Sequence, residues 1–276
     1  MKKLALLIAT KDIIWKALSS FAYFFVLCYR LRKMFLHKSL AKKVDMKIFN
    51  EMKVLSGPFE GMQYPCIDAV GSTIYPKLIG SYEKELWPTI EQVKNKSYSC
   101  VFDIGCAEGY YAVGLAKSMP STKVYAFDLD PVGRRLCHRM AKLNNVQDKV
   151  IIKEYCDPEF LNDFEFGEAA LIISDCEGFE KLLFNENNIE NLKKCDLIIE
   201  THDCYDIEIS TYLKKLFEDT HVIHSVLSTD DVQKALHYNF DTIQNLSLDQ
   251  KKYLLSERRS SIMEWLYCES KHNLNR

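Results

Sequence analysis

Two short stretches of this 276-residue chain concentrate groups that can do chemistry. Asp175-Cys176-Glu177-Gly178-Phe179-Glu180 follows an apolar run over 169–173, and Glu200-Thr201-His202-Asp203 follows another over 195–199. Both runs read as central parallel strands covered on both faces. Carboxylates at the end of such strands are costly to bury unless they meet ligand, metal or water. Adjacent strands therefore send Asp175, Glu177, Glu200 and His202 into one crevice. His202 is the first candidate for a general base and Asp175 the second, with Glu177 beside them. A divalent cation held by Asp175, Glu177 and Glu200 is the other way to activate an acceptor, and hard carboxylate oxygens favour Mg²⁺.

Upstream lies a second constellation. Residues 101–104 read as a buried strand, Gly105-Cys106-Ala107-Glu108-Gly109 as a turn, and Tyr111, Val113, Leu115 and Ala116 as the apolar face of a helix. Glycines at 105 and 109 let the backbone turn sharply and approach a ligand without a Cβ in the way. A dinucleotide turn needs a third glycine for helix–strand packing, and Tyr110 occupies its position, so a nicotinamide oxidoreductase is disfavoured. What remains resembles the Asp-x-Gly-x-Gly-x-Gly loop of class I S-adenosylmethionine-dependent methyltransferases, with Ala107 in place of the middle glycine. Asp128 ends the next strand, roughly twenty residues after the glycine turn, where a carboxylate can accept both hydroxyls of a ribose. Asp157 follows the third strand and is a candidate acceptor for an adenine amine; Asp130 is the candidate cap of the helix opened by Pro131.

The elements that must position these groups alternate. Strands are expected over 101–104, 123–128, 150–154, 169–175, 195–200, 221–227 and 262–268. Helices are expected from Ser81 as cap to about Asn95, after the glycine turn, from Pro131 to about Asn144, and over about 207–217. That order predicts an α/β fold, a doubly wound and mostly parallel seven-stranded sheet, with an N-terminal helical extension. Residues 1–50 form the extension, 51–98 a lead-in cap of loops and short strands, and 99–276 the cofactor-binding domain. Residues 228–260 read as a long polar insertion that builds an acceptor pocket.

Composition sets the outer bounds. The ten cysteines are scattered singly without C-x-x-C pairs, which argues against a zinc site and for reduced thiols in a cytoplasmic protein. Residues 1–53 carry twelve Lys or Arg against Asp12, Asp45 and Glu51, near +9, which leaves the rest near −11. A helix over about 11–38, with an uncharged aromatic centre over 17–29 and basic flanks, reads as a cover on the domain or as a peripheral contact with an anionic membrane through residues 11–43, at the inner membrane face. It is too short to span a bilayer. No nucleic-acid motif accompanies the basic charge.

Taken together, Gly80-Ser81-Tyr82-Glu83, the stretch from Phe102 to Tyr111, the stretch from Ile173 to Glu180, and Ile198-Ile199-Glu200-Thr201-His202 resemble FkbM-type S-adenosylmethionine-dependent methyltransferases over roughly residues 80–205. The resemblance implies S-adenosylmethionine as cofactor and methyl transfer to a hydroxyl oxygen, often of a sugar or secondary metabolite. It puts Tyr82, Glu83, Asp103, Gly105 and Asp128 on cofactor positions, and Asp175, Glu177, Glu200 and His202 on the acceptor side. Cys106-Ala107 replaces the family's commoner Ala-Asn pair, and Cys176 stands where an apolar residue is usual. The competing class is a catalytically silent module of the same fold.

Overall fold

The computed structural model describes residues 23–25, 27–29, 31, 32 and 51–274. Chain contacts divide the protein into Met1–Phe49 and Asn50–Arg276. In the first unit the described residues are helical and exposed, Tyr23, Phe24, Phe25 and Tyr29 among them. The rest of the helix expected over about 11–38 lies outside the described residues. Among the described residues, no helix is long and apolar enough to cross a membrane.

The second unit is built around seven strands. Its elements in chain order are α1 (Ile74–Ile79), α2 (Trp87–Lys94), β1 (Cys100–Ile104), α3 (Tyr110–Ser118), β2 (Lys123–Phe127), α4 (Pro131–Leu143), β3 (Val150–Lys153), α5 (Pro158–Asp163), β4 (Ala170–Ser174), α6 (Glu180–Leu183), α7 (Ile189–Leu192), β5 (Cys195–Thr201), α8 (Ile209–Phe217), β6 (His221–Leu227), α9 (Asp231–His237), α10 (Leu248–Leu255), β7 (Glu264–Ser270) and α11 (Lys271–Leu274). The sheet order is β3-β2-β1-β4-β5-β7-β6. All neighbours are parallel except β7, which runs antiparallel to both β5 and β6. This is the doubly wound, mostly parallel seven-stranded sheet read from the sequence. Strand order reverses between β1 and β4, and a ligand crevice belongs at the carboxyl ends of those strands.

The central strands β1, β4 and β5 are buried along their whole length. Pleating sends alternate residues of β1 to opposite faces. On one face Phe102 enters an aromatic cluster, its ring centroid 4.8 Å from Phe164, 5.2 Å from Phe166 and 5.4 Å from Phe127. On the other, Asp103 accepts a hydrogen bond from the Ala112 N–H of α3 at 2.7 Å. One strand thus anchors the core and aims a carboxylate at the base of the glycine loop.

Three expectations are corrected. Ser81 does not cap a helix: Glu83 takes a left-handed conformation (φ 45°), a single 3-10 turn follows over Lys84–Leu86, and α2 begins only at Trp87 with Pro88 in its first turn. The stretch 51–80, read as loops and short strands, contains α1, in which Pro76 sits in the first turn where its missing N–H costs nothing. The insertion over 228–260 carries α9 and α10, started by Asp230 and by a Ser247–Gln250 capping box.

The lead-in docks through Phe59. This buried ring meets Tyr110 and Tyr111 edge-on, at centroid distances of 5.1 and 6.0 Å. Phe59 also lies over Gly114 of α3, and a Cβ there would fall 2.5 Å from the ring. Gly114→Ala is therefore expected to destabilise the protein by about 1–3 kcal/mol through overpacking, despite the gain in helix propensity. Urea unfolding checks this; a variant as stable as the parent means that Phe59 yields freely and does not clamp the lead-in.

Candidate functional site

A cavity of about 490 Å³ opens over the carboxyl ends of β1, β2 and β4, lined among others by Lys77, Asp103, Gly105, Ala107, Asp128 and Tyr155. At the switch point the chain is as tight as glycine permits. Asp175 N–H donates to the Ile104 carbonyl at 2.9 Å, and a Cβ on Gly105 (φ 86°) would lie 1.8 Å from the Asp175 carbonyl oxygen. Gly105 and Cys106 N–H both donate to Phe127 O at 2.9 Å, pinning the loop to the end of β2.

Asp128 completes that clamp. Its Oδ2 accepts from Ala107 N–H and its Oδ1 from Asp130 N–H, both at 2.7 Å. A carboxylate has about four lone-pair sites, so both oxygens keep acceptor capacity on the cavity side. Ala107, which stands where a glycine is usual, is held at φ 47°. Asp103 is buried beneath, and its carboxyl is pushed up to about 7. Burial is the main cause, reinforced by Asp175 and Asp128 and opposed by the Ala112 N–H and Lys77. Tyr110 fills the position of a third glycine, its ring edge-on to Tyr82 at 5.1 Å.

Not every predicted cofactor residue reaches this cavity. Gly109 (φ 94°) starts α3, and a Cβ there would press on Cys137 Sγ at 2.8 Å, so it serves helix packing and does not line the cavity. Glu83 is buried behind Tyr111 and paired with Arg259, also outside the cavity lining. Asp157 is corrected to a structural role: its Oδ1 accepts from Phe160 N–H at 2.7 Å as the cap of α5, and neighbouring Tyr155 and Cys156 line the cavity instead. Tyr82 lies where the resemblance implied, and it lines a second cavity as well.

That second cavity, of about 220 Å³, adjoins the first and shares Gly71, Ser72, Tyr82, Asp175 and Glu177 with it. His202, Glu200, Tyr205, Arg258 and Arg259 complete its wall. The four strand-end groups named from the sequence, Asp175, Glu177, Glu200 and His202, do converge here. His202 Nε2 lies 3.4 Å from Asp175 Oδ1, 3.6 Å from Glu177 Oε2 and 3.8 Å from Glu200 Oε2. The cation ligand set read from the sequence needs revision, because Asp175, Glu200 and His202 are the three whose ligand atoms gather within 4.8 Å. Glu177 is two-thirds exposed and sits at the rim, held at φ 53°.

Three functional residues were not assigned from the sequence. Glu180, fully buried, meets His202 Nδ1 at 2.6 Å and so sets the tautomer and tilt of the ring. Tyr205 stacks on the imidazole, centroids 5.9 Å apart and planes 17° apart. Arg259, delivered by the end of the insertion, ion-pairs with Glu83, Glu200 and Glu257. Burial of His202 opposes its protonation, but the Glu180 hydrogen bond and the charges of Glu180, Asp175 and Glu177 outweigh it and raise its pKa above the usual imidazole value. Burial, then the nearby Asp175, pushes the Glu200 carboxyl well above the carboxylate range against the pull of Arg259.

No family model matches the chain. Over 106 residues it is 29% identical to the release factor glutamine methyltransferase of Flavobacterium psychrophilum, a match covering 37% of this chain and 36% of that protein. The chain thus spans about a third of the length of that curated relative. Among solved structures it is similar to a precorrin-6y C5,15-methyltransferase from Geobacter metallireducens (TM-score 0.44, 13% identity, 70% of this chain and 88% of that one). It is also similar to an S-adenosylmethionine-dependent O-methyltransferase from Thermotoga maritima (TM-score 0.43, 12% identity, 68% and 65%). A third similar structure is a geranyl diphosphate C-methyltransferase from Streptomyces coelicolor (TM-score 0.42, 12% identity, 72% and 78%). At these scores the likenesses add nothing to the chemistry of the site, which rests on its own residues.

Proposed function

We propose that this protein is an S-adenosylmethionine-dependent methyltransferase acting on a hydroxyl oxygen of a sugar, a polysaccharide precursor or a secondary metabolite. One observation carries the reading: a cofactor-sized cavity and a smaller, polar cavity meet at a wall made by Tyr82, Asp175 and Glu177. The larger one lies within the range of about 300–1,000 Å³ usual for ligand pockets. Its residues fit the cofactor: Asp128 offers a carboxylate to a ribose, Asp103 and Asp175 offer negative charge to a cationic ligand, and Gly105 leaves backbone exposed. When bound, S-adenosylmethionine supplies an electrophilic methyl group and leaves as a neutral thioether, so the protein must position the acceptor oxygen and manage its proton.

The second cavity supplies that management. Glu180 engages Nδ1, so the lone pair of His202 is left on Nε2, which lies 3.4 Å from Asp175 and 3.6 Å from Glu177 of the shared wall. A hydroxyl is a poor nucleophile and needs such help, worth about 10²–10⁴-fold. Tyr205, exposed and stacked on His202, offers a flat face to a sugar ring. A nicotinamide dinucleotide is disfavoured by Tyr110, whose ring lines the cavity in place of the close helix–strand contact that a third glycine would allow.

Calorimetry is the primary test: S-adenosylmethionine should bind and NAD should not. Asp128→Ala should weaken that binding by about 1.5–3 kcal/mol, since the carboxylate both meets the ligand and clamps the loop. Unchanged affinity would remove Asp128 from the site, and selective NAD binding would replace the methyltransferase reading.

A second expectation concerns pH. Because the Asp103 carboxyl titrates near 7 when folded, the native state keeps a proton that the unfolded chain has released above pH 4. Stability should therefore decline as pH rises from about 4 to 7, with a total cost of about 4 kcal/mol. A cationic cofactor favours the ionised form, so affinity for S-adenosylmethionine should increase by up to about tenfold per unit as pH rises toward 7, and level off by pH 8. Calorimetry across that range checks it, and Asp103→Asn should flatten the profile; a flat profile in the parent protein excludes Asp103.

His202→Ala should lower turnover by about 10²–10⁴-fold with cofactor affinity nearly unchanged. In the parent enzyme the rate should fall in acid, with a midpoint above the ordinary imidazole value of about 6.5, because Glu180 and its neighbours hold the proton on. Turnover with a panel of sugars and hydroxyl metabolites measures both; a variant with full activity removes His202 from the chemistry.

A further inference from the structure

Four lone-pair atoms face one another where β4 and β5 end. In the neutral imidazole that donates Nδ1–H to Glu180, His202 Nε2 is a bare acceptor, and the oxygens around it belong to Asp175, Glu177 and Glu200. Asp175 Oδ1 is buried and has no hydrogen-bond partner. The neighbouring polar groups are already engaged. Glu200 turns Oε1 to Arg259 and leaves Oε2 toward the imidazole. Arg259 is shared with Glu83 and Glu257. Acceptors so placed repel one another until a proton or a cation sits between them.

We propose that Asp175, Glu200 and His202 form a divalent-cation site, with Glu180 as the outer carboxylate that fixes the imidazole. Their ligand atoms lie within 4.8 Å of one another, and the imidazole, nine-tenths buried and more, is pinned between Glu180 and the Tyr205 ring. A carboxylate hydrogen-bonded to the far nitrogen is the usual support of a metal-bound histidine, orienting it and raising its basicity. One nitrogen and two carboxylates suit a first-row ion such as Mn²⁺ better than the Mg²⁺ that carboxylates alone would favour. For its role, though not for its existence, the site rests on the methyltransferase reading: a cation at the shared wall lowers the pKa of an acceptor hydroxyl. With the cation bound, His202 Nε2 is a ligand and no longer the base, so the O–H proton leaves to Glu177 at the rim, and the electron pair stays on oxygen for the methyl group.

The test needs no acceptor. Full-length protein, stripped with a chelator, is titrated with Mn²⁺ alone by calorimetry and by the spin-resonance signal of free Mn²⁺. One saturable site per chain is expected. His202→Ala and the near-isosteric Asp175→Asn should weaken it at least tenfold, and Glu180→Gln by about 10–100-fold. Glu190→Gln, exposed before the amino end of β5, should leave it unchanged. Circular dichroism establishes that each variant is folded. Absence of saturable binding in the parent protein, or binding untouched in folded His202→Ala and Asp175→Asn, overturns the site. Titration of the same stripped protein with S-adenosylmethionine separates the two readings. Cofactor binding without Mn²⁺ binding defeats the cation site alone; Mn²⁺ binding without cofactor binding defeats the methyltransferase reading and leaves the cation site standing.

Discussion

One buried guanidinium neutralises the carboxyl edge of this sheet. Glu83, Glu200 and Glu257 are all nearly inaccessible to solvent, and all three pair with Arg259. Glu257 is also matched by Lys234, a lysine with no exposed surface, which reaches toward Glu85 at 3.8 Å. Removing one member of such a buried set strands the others, at a cost of about 3–5 kcal/mol. The network links elements far apart in sequence: the turn before α2, the end of β5, helix α9 and the segment after α10. The insertion is therefore a structural brace whose charges hold Glu200 in place, and through it one wall of the second cavity.

Backbone strain marks the same region. Among the described residues six non-glycine positions have a left-handed backbone, and four of them, Glu83, Ala107, Glu177 and Arg258, flank the two cavities or their charge network. Each such conformation costs of order 1 kcal/mol or more and persists only where surrounding contacts over-determine it. Ala107 is over-determined by its N–H on Asp128, and Glu83 by its N–H on Glu257 at 3.0 Å. The raised carboxyl of Asp103 is a second cost of the same kind, an acid held where burial disfavours its charge. Both kinds of cost concentrate where function is usual.

The strands and their terminal acids were legible because each is a local pattern, an apolar run of four to seven residues closed by a carboxylate. That pattern located Asp128, Asp175 and Glu200 and brought His202 with them, whereas Asp103, inside the first run, came only with the family resemblance. What escaped was non-local. Nothing in the neighbourhood of Arg259 says that it will meet Glu83, distant by 176 positions, and Lys234 looks like any helical lysine until its burial is known. Glu180 was in view within its motif, but only the fold turns it toward His202. Asp157 was misread although the signal was present: an Asp directly before a proline that opens a helix is a cap. The same local chemistry identified Asp130 correctly, with its side chain on Val132 N–H at 2.8 Å. Ser81 failed for the opposite reason, a good capping residue overruled by a buried turn.

The sheet topology explains why the two cavities share residues at all. At the switch between the parallel strands β1 and β4 the chain goes on to neighbours on opposite sides, β2 and β5, and the first residue beyond each, Gly105 and Asp175, remain in backbone contact. The loop of Gly105 faces the larger cavity, whereas the side chain of Asp175 belongs to both. Any change that widens the Gly105 turn must push directly on the Asp175 carbonyl, and from there on the oxygen 3.4 Å from His202. In the proposed function, cofactor placement and acceptor activation are thus coupled through one pair of backbones, not through a chain of side chains. That coupling follows from where the strand order reverses, and it is the reason a single glycine can matter to both cavities.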